Sequence, residues 1–487
     1  MRYLSLLFSA LALAAQVEFP HGVASGDVTS TSVVLWTRTG REATVSLELQ
    51  GERRQTVLAT AAHDFTVKVK LEGLEPGRQY AYRFLAGEAE SDHGSFTTAP
   101  LAGKAVRLKF AFSGDSDGTR VNGAPAINQF EVLDAIREER PDFFLYMGDT
   151  VYSDSVHRGD RGPAVTLHQY RETYQVNREL PALRKLLAAT SAYVMWDDHE
   201  VRNDWDAETV PRSRAVNGRQ AFLEYMPVEV DTPESEGCVA PPMFRTFRWG
   251  SAAEFFILDE RSCRGASVEP ECRAPGAARG DFAPGLPALF RMFAGLPATP
   301  PNGCVAALNR PGRPMLGGWQ LARFKQALAG STAQFKFVVS EVAISPLFAY
   351  PYDRWEGYAA ERAEVLQFIQ DQAIRQVIFL TADMHANLMQ DVRINRFSSG
   401  EPVAQEFITG PIAAASLQKE LASEAGISAA TIGRFRGLLG TNCVALDSFG
   451  FGIVEVDPDE GTATITLKDE HGQVLDGGGC QKVLKIL

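Results

Sequence analysis

Ala192-Tyr193-Val194-Met195-Trp196-Asp197-Asp198-His199-Glu200-Val201-Arg202-Asn203-Asp204 begins as a core strand and ends as a row of ionisable side chains. The run 192–196 is short and apolar, as a buried strand requires. Charges beside a core are costly unless they are paired or bound to a metal. On its own the stretch fits a solvated strand-to-helix turn capped by Asp. The rest of the chain points elsewhere.

The same change of character recurs. The apolar run 106–112 leads into Asp115 and Asp117, and 142–147 leads into Gly148-Asp149-Thr150-Val151-Tyr152. The run 376–380 leads into Thr381-Ala382-Asp383-Met384-His385. Further apolar runs lie at 254–258 and 335–339. Helical patterns separate these runs at 128–137, 168–187 (broken before Pro181), 318–328 and 359–372. Such alternation predicts an α/β layered domain. Ligands of open α/β sheets bind beyond the carboxyl ends of the strands. Groups spread from 115 to 385 are therefore predicted to converge.

So many carboxylates cannot all stay ionised at close range without cations. A two-metal centre fits, with one carboxylate bridging cations about 3.5–4 Å apart. Asp149 is the natural bridge, because Gly148 permits a tight turn beside it. Tyr152 offers a phenolate suited to a ferric ion. Carboxylates and the Asn203 amide suit Ca, Mg or Mn.

Gly148-Asp149-x-x-Tyr152 is similar to the second motif of calcineurin-like metallophosphoesterases, in the form used by purple acid phosphatases. Trp196-Asp197-Asp198-His199-Glu200-Val201-x-Asn203 replaces the usual Gly-Asn-His-Glu, and Asp383-x-His385-Ala386 replaces Gly-His-x-His. Both resemble the PhoD-like alkaline phosphatase family. Phe19-Pro20-His21-Gly22-Val23-Ala24-Ser25-Gly26-Asp27, Tyr170-Arg171-x-x-Tyr174 and Leu258-Asp259-x-Arg261 extend the resemblance over most of 19–470.

That resemblance implies a four-layer α/ββ/α metallophosphoesterase domain from 105 to the C-terminus, preceded by a small immunoglobulin-like β-sandwich. It implies an enzyme hydrolysing phosphate monoesters, diesters or both, with two metals, Fe(III) and Ca in the best-known members. Mn, Mg and Zn are the other candidates. Asp115, Tyr152 and Asp383 or His385 would complete one metal site around Asp149, and Asp198 with Asn203 the second. His199 would protonate the leaving group, or else orient Asp198. Arg261 would meet a phosphate or form a structural ion pair. One departure bears on the metal: the family commonly has Cys where Asp115 stands. A hard carboxylate in place of a soft thiolate weakens the expectation of iron. Two other readings stand beside this one. The first is a phospholipase-D-like diesterase with an apolar mouth built from 285–296 and 344–350. The second is a non-catalytic exported binding protein.

Composition bounds these readings. The chain has 487 residues, 48 basic and 60 acidic, for a net charge of −12. That balance argues against bulk nucleic-acid binding. Residues 1–15 read as a signal peptide of the general secretory route, one early Arg followed by an apolar run, and no other stretch reads as a membrane span. An exported or periplasmic protein is expected. Six cysteines without a C-x-x-C pair then read as disulfides. Cys263–Cys272 and Cys443–Cys480 are the local pairings. The remaining Cys238 and Cys304 fall with Cys263 and Cys272 in a Pro/Gly-rich stretch, 231–315, that reads as an insertion. Residues 16–100 carry strand-like runs at 32–37, 43–49, 65–71 and 80–85, with Trp36 expected between two sheets and Tyr80 anchoring a turn.

Overall fold

The computed structural model describes residues 16–293, 295–397, 399–425 and 443–486. The expected leader, 1–15, lies outside them. Two large sheets face each other. The nine-stranded sheet runs Gln481–Lys485, Thr462–Lys468, Phe451–Asp457, Leu108–Ser113, Phe143–Met147, Ser191–Met195, Val23–Gly26, Ser32–Arg38, Thr66–Glu72. The seven-stranded sheet runs Arg245–Trp249, Ala253–Ile257, Phe335–Ser340, Val377–Thr381, Ala404–Ile408, Asn387–Val392, Val444–Ala445.

Central strands read as unbroken apolar runs because both faces are covered. In Phe143–Met147, the side chains of Phe143, Leu145 and Met147 enter the core between the sheets, while Phe144 and Tyr146 enter the core beneath the helices. In the second sheet, Phe337 and Val339 face the first sheet and Val338 faces outward. Phe110, Phe143, Phe255 and Phe337 lock the two sheets together, with ring centroids 5.1–5.2 Å apart. Helices Glu131–Glu139, Leu167–Arg178, Pro181–Ala189 and Arg212–Tyr225 cover the first sheet. Gly317–Gly330 and Ala359–Asp371 cover the second, which completes the four layers. Thr166 and Gln169 form a capping box at the start of Leu167–Arg178, and Pro181 opens the next helix, so the expected break falls between them.

Three expectations change. First, the N-terminal region has two sheets, but Val23–Gly26, Ser32–Arg38 and Thr66–Glu72 belong to the nine-stranded sheet, joined by parallel pairing of Gly26 with Ala192. Trp36 therefore faces the helices. Its Nε1 donates to the Glu224 carbonyl at 2.8 Å, and the Arg178 guanidinium lies 4.2 Å from its ring. Tyr80 does anchor its turn, its hydroxyl accepting the Glu75 N–H at 2.9 Å. Second, 231–315 is not one insertion. Arg245–Trp249 and Ala253–Ile257 within it are strands of the second sheet, so the excursion begins beyond Leu258. Third, the disulfides are Cys238–Cys263, Cys272–Cys304 and Cys443–Cys480. The expected Cys263–Cys272 pair is absent because a backbone bond from Val239 N–H to the Ser262 carbonyl sets Cys238 beside Cys263. Cys272 instead packs with Cys304, Val268 and Leu308. Closing a longer loop costs little more than closing a short one, so nearness in sequence is a weak guide.

The Phe19–Asp27 motif is a structural tie. Asp27 accepts two bonds from Arg245 Nη1, at 2.8 and 2.9 Å, and a third from the Glu229 N–H at 2.9 Å. Arg245 Nη2 in turn donates to the Val194 carbonyl. The first sheet is thus pinned to the edge of the second through a buried ion pair. Asp27→Ala strands the Arg245 charge and should lower stability by about 3–5 kcal/mol. Urea unfolding checks this, and Asp27→Ala/Arg245→Met should recover part of the loss. His21, in the same motif, is held down to about 3 by burial and by Arg38. The unfolded chain then takes up a proton below about 6.5 that the folded chain refuses until about 3, so stability falls as pH drops through that window. His21→Gln should flatten the fall, measured as the difference between the two proteins' unfolding free energies at each pH.

Candidate metal centre

The strands Leu108–Ser113, Phe143–Met147 and Ser191–Met195 pair in parallel, as do Ala253–Ile257, Phe335–Ser340 and Val377–Thr381. Their carboxyl ends open on one side. There the chain turns sharply at each motif. Asp115, Asp149, Asp383 and His385 all have left-handed backbones, with φ between 46° and 63°. Residues held in such conformations gather at functional sites. Gly148 makes the second turn possible: a Cβ there would lie 2.6 Å from the Asp197 Cβ.

Glu200 joins two of these turns. Its Oε1 accepts the Thr150 N–H and hydroxyl, each at 2.6 Å, and its Oε2 accepts the Asp197 N–H at 2.8 Å. The His199 N–H donates to Asp149 Oδ1 at 3.1 Å, and the His199 carbonyl accepts the Ser153 N–H at 2.9 Å. Asp149 and Asp198 are thereby fixed side by side.

Among the described residues, three groups of ligand atoms, each mutually within 4.8 Å, could hold a cation: Asp115 with Asp149 and His385, Asp149 with Asp198 and His199, and Asp198 with Asp204 and Asp353. Asp149 belongs to the first two. The Tyr152 hydroxyl lies 2.8 Å from His385 Nε2, and its ring stacks on His199 at 4.0 Å. Asp383 adjoins the first group, its N–H donating to Asp115 Oδ1 at 3.1 Å. Asn203 is exposed and meets the site through its backbone N–H, which donates to Asp154 Oδ2 at 2.6 Å. Arg261 is wholly buried. Its Nε donates to Asp197 at 2.6 Å, and its two terminal nitrogens grip Asp353 at 2.8 Å. That geometry is the structural ion pair of the two roles expected for it.

The electrostatics follow from burial. Burial pushes the Asp115 carboxyl up to about 7 and the Asp383 carboxyl up to about 6. Asp149 is also raised, by burial and by the neighbouring Asp198. Burial acts on Asp198 too, but the Arg261 and His199 charges outweigh it and bring the group down to about 2. The residues present fit bound cations. Asp115 Oδ2 is buried without a hydrogen-bond partner, a costly arrangement that a metal would relieve. The donors are oxygens and imidazole nitrogens, a set for hard and borderline ions.

Sequence reasoning gave no site role to four residues, Asp154, Glu420, Asp353 and Asp204. Asp154 Oδ1 lies 2.5 Å from His199 Nδ1. Glu420 lies 2.8 Å from His385 Nδ1, which also meets the Ala415 carbonyl at 2.7 Å. Asp353 closes the third group. Asp154 stands two residues after Tyr152, and that nearness was the available signal. Glu420 and Asp353 follow no motif.

Two facing mixed sheets thus gather carboxylates and imidazoles at one mouth. Residues 122–465 match the family model for PhoD-like phosphatase, and residues 8–100 match that for the PhoD-like phosphatase N-terminal domain. The chain belongs to the PhoD-like phosphatase family. It is 26% identical over 426 residues to alkaline phosphatase D of Bacillus subtilis, an alignment covering 77% of this chain and 66% of that protein. The chain thus spans just under two thirds of that relative's length. A solved structure of PhoD superposes with a TM-score of 0.73 at 21% identity, covering 96% of this chain and 92% of the other. Purple acid phosphatase PPD1 from yellow lupin (Lupinus luteus) seeds gives a TM-score of 0.57 at 12% identity, covering 96% and 74%. These likenesses are of fold.

Glu200 touches no group that could react, yet both turns hang on it. Glu200→Gln replaces an accepting oxygen by an NH2 group and should weaken metal affinity by roughly 10–100-fold. Equilibrium dialysis against buffered Mn checks this, with Glu200→Asp as the partial-rescue control.

Proposed function

We propose that the protein hydrolyses small phosphate monoesters and diesters at a two-metal centre bridged by Asp149. The observation that carries this reading is the membership of Asp149 in two cation-competent groups at once. Family membership supports the reaction class, phosphoric ester hydrolysis, and a small phosphate ester as substrate.

Asp115, Asp149 and His385 would hold one cation, with Tyr152 and Asp383 beside it. Asp149 and Asp198 would hold the second, with the Asn203 amide or Asp204 as the next donor. A phenol, an imidazole and carboxylates suit Fe(III) at the first position, and oxygen donors suit Ca at the second; Mn, Mg and Zn are the alternatives. When bound, such cations lower the pKa of water and neutralise charge on phosphoryl oxygens. The chain's own residues do the rest. Glu200 keeps the Asp149 and Asp198 turns in register. Arg261 counters the charge of Asp197 and Asp198. Asp154 fixes His199 through Nδ1, which leaves Nε2 facing the mouth, 3.9 Å from Asp198 Oδ1. From there His199 delivers a proton to the leaving oxygen. Three disulfides support a working place outside a reducing compartment. Among the described residues no helix is long and apolar enough to cross a membrane.

Asp149→Asn should lose metal and turnover together. Full metal content and full activity in that variant would refute the bridge. His199→Ala should lose about 10²–10⁴-fold on alkyl phosphates and far less on nitrophenyl phosphate, because a general acid matters most for poor leaving groups. Equal losses on both would assign His199 the orienting role instead.

A further inference from the structure

We propose that a cavity of about 450 Å³ behind the Tyr152–Asp154 turn binds a phosphate group, inorganic or esterified. Arg120, His157, Arg158 and Arg161 line it, together with Thr173 and Asn177. Glu172 is the one carboxylate among the lining residues. In a chain of net charge −12, three guanidiniums around one cavity are not a general property of the surface.

The wall is built. Gly159 and Gly162 both have positive φ, 57° and 60°, and fold the 156–162 loop back on itself. Arg158 is thereby buried to 8% exposure, with Nε donating to the Gly162 carbonyl at 2.8 Å and Nη1 to the Thr173 hydroxyl at 2.9 Å. Arg161 Nε reaches the Arg158 carbonyl at 3.4 Å, so both guanidiniums stay on one loop. Burial and the Arg161 charge lower the Arg158 pKa, which marks the crowding of like charges. Across the cavity, Arg120 Nη1 donates to the Gly123 carbonyl at 3.1 Å and Nη2 lies 3.4 Å from Glu179, but its Nε is buried without a partner. An anion relieves the repulsion and gives that N–H an acceptor. Phosphate matches forked guanidinium donors best.

The cavity adjoins the turn that carries Tyr152 and Asp154. Asp117, just beyond Asp115, accepts the Ser155 hydroxyl at 2.5 Å and the Thr119 N–H at 2.9 Å. Asp154, in the same turn, holds His199. Asp117, Asp154 and Glu172 offset part of the Arg158 charge. Two sources of phosphate follow: free phosphate, or the distal phosphate of an ester carrying more than one. The second source rests on the hydrolase reading above, and the first does not.

The test uses wild-type holoenzyme and Arg120→Ala/Arg161→Ala, with Arg158 left in place to hold the loop and circular dichroism to check folding. Equilibrium dialysis with labelled inorganic phosphate should show one phosphate fewer per chain in the variant, or a site weakened at least about tenfold. Turnover of a single-phosphate ester should stay within about twofold, since neither arginine belongs to a candidate metal group or contacts His199. If the ligand is a distal phosphate, the wild-type preference for an alkane bisphosphate over its monophosphate falls in the variant. If it is free phosphate, that preference is unchanged and the dialysis difference remains. Identical phosphate binding and identical preference in the two proteins would overturn the proposal. Failure of wild type to cleave any ester would defeat the hydrolase reading alone, because dialysis needs no turnover.

Discussion

Four carboxylates are buried at one mouth: Asp115, Asp149, Asp197 and Asp198 are each at most 3% exposed. Every other feature of the centre answers to that constraint. Burial raises the first three towards neutrality, and Asp198 stays ionised through the Arg261 and His199 charges. The fold supplies two permanent cations from within, the fully buried Arg261 and Arg264, on the side of Asp197 and Asp353. The opposite side, around Asp115 and Asp149, has an unpartnered carboxylate oxygen and imidazoles instead. Charge is balanced internally on one side and left for bound ions on the other.

Holding these groups close demands rigid turns. The strands end in left-handed residues that a flexible chain would abandon, and the surrounding bonds over-determine them. Glu200 is the hub, accepting from both the Asp149 and Asp198 turns. Stacked aromatics between the sheets lock the strands that carry these turns. At the far edge the Asp27–Arg245 pair fixes the N-terminal strands to both sheets. Three strands of the N-terminal region thereby extend the nine-stranded sheet, while its other strands form a sheet of their own.

Much of this was legible. Strand ends at Asp115, Asp149, Asp198 and Asp383 were readable because a buried strand is a continuous apolar run and its charged terminus breaks that run abruptly. Gly148 was readable because a glycine beside a strand-end Asp permits a tight turn; its close approach to Asp197 appears only in the structure. What failed depends on contacts distant in sequence. Trp36 faces the helices because its strand joins another domain's sheet, which its local pattern does not record. Cys263 pairs with Cys238 because of one backbone bond. Asp353 sits in the helical turn Pro351–Asp353 and Glu420 in the helix Leu417–Ala425, neither at a strand end, and each acquires its role only by docking against Arg261 or His385. Arg261 reads in one dimension as either a phosphate contact or a structural ion pair, and in three it is a fully enclosed partner of Asp197 and Asp353.

The central claim, that Asp149 is shared by two cations, is tested most directly by metal analysis of the isolated protein joined to anomalous scattering from its crystals. Two cations per chain are expected, on either side of the Asp149 carboxylate and about 3.5–4 Å apart. A single cation, or cations found only among Asp198, Asp204 and Asp353, would contradict the account.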